Sequence, residues 1–114
     1  MPSSGNQLER LAKVLERVRL LNKEMPIQTL CVFLLVANNV RKGKVTTMSD
    51  VARQLDFQNA TITRNVSNLS DWTYQKKAGL NLIKTEYDPM DQRVKTLTLT
   101  KKGESFAKTL QEIL

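Results

Sequence analysis

Two short amphipathic runs joined by a few residues, together spanning 47–72, constrain this chain more than any other feature. In TMSDVARQL, Met48, Val51, Ala52 and Leu55 fall at i, i+3, i+4 and i+7, so one helical face is apolar while Asp50, Arg53 and Gln54 occupy the other. Thr47 is placed to cap that helix. Its hydroxyl can accept an orphan backbone N–H while Asp50, three residues on, reaches back as the acidic half of a capping box. In the second run Ile62, Val66 and Leu69 keep a 4,3 spacing, and the opposite side displays Ala60, Thr61, Arg64, Ser67, Asn68 and Asp71. Solvated helix faces favour Lys, Glu and Gln, whereas this one is built from short hydrogen-bonding side chains that are mediocre helix formers. Such a face suits a polar surface: Thr, Ser and Asn donate and accept at close range, and one Arg can fork onto a guanine edge or a phosphate. The second run is therefore a candidate recognition helix, although an exposed polar helix of an all-α protein has the same spacing.

At 114 residues and 40% hydrophobic, the chain has apolar material for one domain with one modest core. Its 18 Lys and Arg against 11 Asp and Glu leave a net charge of +7, which suits a polyanionic partner. Aromatic content of 5% argues against a stacking platform for single strands. Without His and with one Cys, the chain cannot build a structural zinc site, a Cys–His nucleophile, a Ser–His–Asp triad or an internal disulfide. No enzymatic activity, metal or cofactor is expected. The leading residues MPSSGNQLERLAK hold no signal-like apolar run, no segment approaches 18 uninterrupted apolar residues, and no phosphate-binding glycine loop or repeat occurs, so a reducing cytoplasm is the expected location.

In chain order, residues 1–5 read as a frayed tail and 6–24 as a first helix. There Leu8, Leu11, Leu15, Val18 and Met25 follow heptad-like spacing, and Val14, Leu20 and Leu21 widen the stripe beyond what a small domain needs on one side. Part of it is expected to face a second subunit. Pro26 stands where a helix begins, and 27–40 is apolar nearly all round, as a buried central helix would be; Cys31 within it reads as a small hydrophobe. Val45 and Thr46 are expected in a very short strand. After Trp72, TYQKKAG fits either a helical extension ending at Gly79 or a loop. Residues 80–88 and 93–100 are β-rich runs bridged by Pro89-Met90-Asp91-Gln92, a hairpin. Between Tyr74 and Gly103 seven cations face three carboxylates, so more than half of the +7 lies there. Residues 101–114 form a last short helix with Phe106, Leu110 and Ile113 on one side.

The element order is helix, helix, short strand, helix, helix, basic hairpin, helix: a mainly α, α+β, winged helix-turn-helix domain over 1–114, with the helix-turn-helix at 47–73 and the wing at 80–100. SDVARQLDFQNATITRNVSNL resembles the helix-turn-helix of the MarR (multiple antibiotic resistance regulator) family of bacterial transcription factors. NLIKTEYDPMDQRVKTLTLTKKG resembles its wing, with Asp-Pro-x-Asp-x-Arg at the turn and Leu-Thr-x-x-Gly after it. Together they cover about 47–103. The resemblance implies that Arg93 enters a minor groove with Asp91 holding its guanidinium and Asp88 as a second partner. It also implies base or phosphate contacts from Asn59, Ala60, Thr61, Thr63, Arg64 and Asn68, with Thr63 at the edge of the exposed face. Ser67, Lys84 and Lys95 complete the candidate DNA-binding set.

Gln58 stands where the family usually has a small polar cap, Asp56 where it often has Gly, and eleven residues separate Leu69 from Asn81-Leu82 where the family's spacing is short. One short helix replaces the family's C-terminal dimerisation helices, so a homodimer is expected to use Leu8, Leu11 and Leu15 with Leu110 and Ile113. A small-molecule effector is known in the family, but no pocket residues are identifiable here. Two function classes follow: a dimeric, sequence-specific double-stranded DNA-binding transcriptional regulator, or a winged helix serving as a protein-interaction or DNA-architectural accessory protein of phage or plasmid type, without an operator.

Overall fold

The computed structural model describes residues 4–73 and 75–114. Among them run α1 (Ser4–Leu21), α2 (Ile27–Arg41), β1 (Thr46–Thr47), α3 (Met48–Leu55), α4 (Asn59–Leu69), β2 (Ile83–Asp88), β3 (Asp91–Leu99) and α5 (Lys101–Ile113), the strands forming an antiparallel sheet in the order β1-β3-β2. This is the expected winged-helix order. Ser4 and Gly5 belong to α1 rather than to a tail, and α1 stops three residues short of the expected end at 24; Met1, Pro2 and Ser3 lie outside the described residues.

The core gathers around α2, whose Val32, Phe33 and Val36 are fully enclosed, with Phe33 tilted against Phe106 of α5 at a ring separation of 5.6 Å. Val51 and Ala52 of α3, Ile62, Val66 and Leu69 of α4, and Leu82, Ile83, Leu97 and Leu99 of the hairpin close on it. The all-round apolar pattern of α2 does not mean all-round burial. Ile27 and Leu34 stand in solvent while Thr29 and Asn39 are buried in their place, because each polar group has somewhere to bond. Cys31 is half-buried on the same helix.

The wide stripe of α1 splits into two faces. Val14 and Val18 are buried against the chain's own core, whereas Leu8, Leu11 and Leu15 keep 69%, 50% and 45% of their surface exposed. Leu110, expected beside them at a subunit boundary, is instead 3% exposed inside its own chain, since α5 turns that residue onto the core; Ile113 is half-buried.

The hairpin joins α5 through Thr100, which caps α5 by accepting from the Gly103 N–H at 2.9 Å and donates to the Asn81 carbonyl at 2.7 Å. A Cβ at position 103 would collide with the Leu82 carbonyl oxygen, so the Gly of Leu-Thr-x-x-Gly lets the first turn of α5 lie directly on the root of the wing.

Candidate nucleic-acid interface

Helix α4 is held from beneath. Six of its eleven residues are Asn, Thr or Ser, a propensity deficit of about 3 kcal/mol against good helix formers. Burying Ile62, Val66 and Leu69 returns about 1.5–3 kcal/mol apiece, so packing wins over propensity. The buried face has a fourth member. Asn65 accepts a hydrogen bond from the Thr29 hydroxyl of α2 at 2.7 Å and donates to the Thr61 carbonyl at 2.9 Å, a buried polar link between the two helices. It fixes which side of α4 faces out.

That outward side carries Asn59, Ala60, Thr63 and Arg64, all exposed, with Ser67 half-buried below them. Thr63 is thus well inside the exposed face rather than at its edge, its hydroxyl turned back onto the Asn59 carbonyl at 2.9 Å. Thr61 and Asn68 are half-buried flanks, and Asn68 faces the α1–α2 junction beside Asn22, Pro26 and Thr29. Arg64 forms no ion pair or hydrogen bond with any described residue. Asp71 falls beyond the helix end.

The approach to α4 uses the two unexpected residues. Asp56 takes the left-handed conformation at φ 55°, which Asp tolerates better than most residues. Gln58 is the N-cap but makes no side-chain cap bond, so the first N–H groups of α4 carry no side-chain partner from that position. Behind α4, residues 70–73 and 75–82 form a loop, not a helical extension. The chain doubles back so that the N–H groups of Leu80, Asn81 and Leu82 bond the carbonyls of Asn68, Ser70 and Leu69, and Trp72 pairs with Ala78 in an isolated bridge. Trp72 is 59% exposed rather than packed; Tyr74 lies outside the described residues.

In the wing, Ile83 to Tyr87 pair in register with Leu99 to Lys95, and then the register jumps: Asp88 pairs with Asp91, leaving Gln92, Arg93 and Val94 without cross-strand partners. The turn is therefore Pro89-Met90, two residues rather than the four expected, and Arg93 sits in a bulge that turns it out of the strand. Its guanidinium is 91% exposed yet fixed, with Nε and Nη2 donating to the two carboxylate oxygens of Asp91 at 3.1 and 3.3 Å and its backbone N–H donating to Asp91 at 3.0 Å. These bonds, the guanidinium's first, hold the Asp91 carboxyl below the usual carboxylate range. Asp88 is not a second partner of Arg93. It accepts from the Met90 N–H at 2.7 Å and so shapes the turn.

Helix and wing meet in a groove of about 360 Å³ lined by Met48, Thr63, Val66, Ser67, Ser70, Thr85, Tyr87 and Lys95, with Lys95 above the Tyr87 ring at 6.0 Å. A second groove, of about 390 Å³, runs from Thr47, Met48 and Ser49 at the start of α3 to Arg93, Val94 and Lys95. Strand alternation puts Lys84 on the other side of the sheet from Lys95, paired with Glu86 at 3.6 Å, so these two cations do not share a surface. Tyr87 and Asn65 were not singled out from the sequence. The signal for Asn65 was its place at i+3 from Ile62; that for Tyr87 was alternation along β2.

The chain matches no protein-family model and no curated protein. Among solved structures it is similar to the S. aureus MepR–DNA complex (TM-score 0.68, 18% identity, 96% of this chain and 77% of that one). It is also similar to an S. aureus MepR variant bound to an oligodeoxyribonucleotide (0.71, 20%, 94% and 69%). A Lactococcus lactis ZitR variant aligns as well (0.62, 18%, 98% and 75%). MepR and ZitR are MarR-family regulators. The architecture of this chain, five helices and a three-stranded antiparallel sheet among the described residues, is the MarR-type winged-helix fold.

Proposed function

We propose that the protein is a sequence-specific double-stranded DNA-binding transcriptional regulator that lays α4 in the major groove and the hairpin tip in the adjacent minor groove. The observation that carries this reading is Arg93, an almost fully exposed guanidinium locked in orientation by Asp91 and set forward by a bulge. Exposed ion pairs add little stability, so a bidentate one at a hairpin tip is better explained by aiming a charge, and narrow minor grooves attract Arg. Support comes from Arg64 on α4, which has no ion pair or hydrogen bond among the described residues, from the uncapped start of that helix, whose N–H groups suit a phosphate, and from the groove between helix and wing that Lys95 helps to line. The structures it resembles include a MepR–DNA complex. Affinity for a duplex selected from a random pool, compared with its scrambled version across a salt series, tests it. A specificity ratio of about 10³ or more is expected, and a ratio near one would transfer the protein to the architectural or interaction class.

The reading includes a homodimer placing two recognition helices about one helical turn apart on a pseudo-palindrome. Leu8, Leu11 and Leu15, at i, i+3 and i+7 on the outer face of α1, support it, with half-buried Ile113 at the end of α5. Light scattering should return twice the 13.0 kDa chain mass, and a monomer mass would remove the two-half-site arrangement. Among the described residues no helix is long and apolar enough to cross a membrane; the bacterial cytoplasm or nucleoid is the compartment this function requires.

A further inference from the structure

We propose that Met90, at the tip of the wing, is an apolar wedge that enters a base step beneath it and partly unstacks that step, so that the protein kinks the DNA it binds. The inference rests on the minor-groove placement of the wing and goes beyond it, because it assigns the tip a mechanical task separate from the charge of Arg93.

The turn does not need Met90. Asp88 opens it and accepts from the Met90 N–H at 2.7 Å, and Pro89 presets the first central backbone angle. Met90 has no positive φ to accommodate, so a small polar residue, the usual occupant of such a position, would close the turn equally well. Instead the two-residue tip carries a thioether side chain that is 94% exposed.

Its surroundings suit insertion. The two carboxylates flanking it would otherwise repel a groove lined with phosphates, but the Asp88 oxygen is engaged by the Met90 N–H and the Asp91 carboxylate is neutralised by Arg93. Asp88 and Asp91 are paired across the hairpin, so a guanidinium drawn into the groove from the bulge carries the Pro89-Met90 tip with it. A tip of two residues is narrow enough for a groove about 6 Å wide. Met and Pro belong to the apolar side chains that separate base steps, at a cost of about a few kcal/mol per step. That cost is lowest at pyrimidine–purine steps, so a TA or CA/TG step is the substrate expected under each wing. The flexible, polarizable side chain of Met adapts to the opened step better than a branched one.

The experiment uses the full chain and duplexes selected from a random pool, with 2-aminopurine placed in turn along the flank and fluorophores on the ends to report bending. Wild-type protein should raise 2-aminopurine emission at one pyrimidine–purine step and shorten the end-to-end distance. Met90→Ala should abolish both signals and weaken binding about fivefold, while Met90→Leu retains most of each. With 94% of its surface free, Met90 can be replaced without disturbing the fold, and a melting curve checks this. Binding by wild-type protein without unstacking at any step, or unstacking that survives Met90→Ala, overturns the wedge and leaves the DNA-binding reading standing. Failure of the wild-type chain to bind any selected duplex overturns both.

Discussion

Helix α4 and the β2–β3 hairpin each hold out one arginine, and they position it by opposite means. Arg64 has no ion-pair or hydrogen-bond partner among the described residues, and its direction is set by the helix beneath it, which Ile62, Val66 and Leu69 seat in the core and Asn65 ties to Thr29 of α2. Arg93 rides on a tip with no core under it. The hairpin enters the core at its root, through Leu82, Ile83, Leu97 and Leu99, and β3 also pairs with β1, while the guanidinium is aimed by Asp91 two residues away. The helix places its arginine through tertiary packing; the wing does so through a local side-chain pair. Under the proposed function a helix-borne arginine would be free to choose a base, whereas a wing-borne one would arrive pre-oriented for a groove of fixed shape.

The largest effect should come from cutting the wing from its root. Gly103→Ala drives a methyl into the Leu82 carbonyl oxygen, and because that obstacle is backbone it cannot rotate away. A cost of about 3 kcal/mol or more is expected, and with it a fall in melting temperature of roughly 12 °C. A near-native melt would mean that α5 can slide off the hairpin, and the wing would then be less firmly rooted than the helix is seated.

Arg64→Ala tests the other member of the pair. If Arg64 reads a base, affinity should fall by about 1–3 kcal/mol at one position of the site, with relaxed preference there. A uniform loss across sequences, with a salt slope reduced by about one, would assign it to phosphate. Titration of wild-type and variant on single-base-substituted duplexes separates the two outcomes. Unchanged affinity on all of them would leave α4 without a charged reader and break the comparison from the helix side.

How far the two regions could be read from sequence follows the same division. The cap of α3 and the apolar faces of α3 and α4 were legible because their causes lie within one or two turns: Thr47 with Asp50, and Ile62 with Val66 and Leu69. Asn65 sits at i+3 from Ile62, so its burial had a local signal, but Thr29, the partner that makes burial affordable, is 36 residues away and had none. In the wing, Asp91 and Arg93 were legible as neighbours. The two-residue turn and the bulge were not, because register is decided by pairing with the partner strand. Whether 70–82 extended α4 was open for a comparable reason: the loop is held by backbone bonds to the end of α4, and a sequence does not display those.

Arg93→Ala should weaken DNA binding by at least tenfold, about 1.4 kcal/mol, with no change in the melt, since its side chain is 91% exposed. Asp91→Ala should act in the same direction but less strongly, because the charge remains and only its aim is lost. Tighter binding by Asp91→Ala would mean that the carboxylate merely repels phosphate, and the wing would then place its arginine as loosely as any exposed side chain. Both variants, titrated on one duplex with circular dichroism melts alongside, decide between these outcomes.

The smallest effect concerns the residue that links the helix-turn-helix to the wing. Thr47 of β1 pairs with Thr96 of β3, and its hydroxyl accepts from the Asp50 N–H at 3.0 Å to cap α3, while Asp50 accepts in return from the Thr47 N–H at 3.1 Å. The Thr47 backbone N–H, with smaller help from the Thr47 hydroxyl and Arg53 at 2.6 Å, outweighs partial burial and holds the Asp50 carboxyl below the usual carboxylate range. A carboxyl whose pKa is lowered by folding adds stability above its unfolded pKa and loses that stability as pH falls through its folded one. Asp50→Asn should therefore cost about 0.5 kcal/mol at neutral pH. The gap to wild type should close below the ordinary carboxylate range, where the native Asp50 is itself protonated. Paired thermal melts from neutral pH down to about pH 3 follow the closure. A gap independent of pH would show that the box acts through shape alone, and the charge of Asp50 would then have no part in holding helix and wing together.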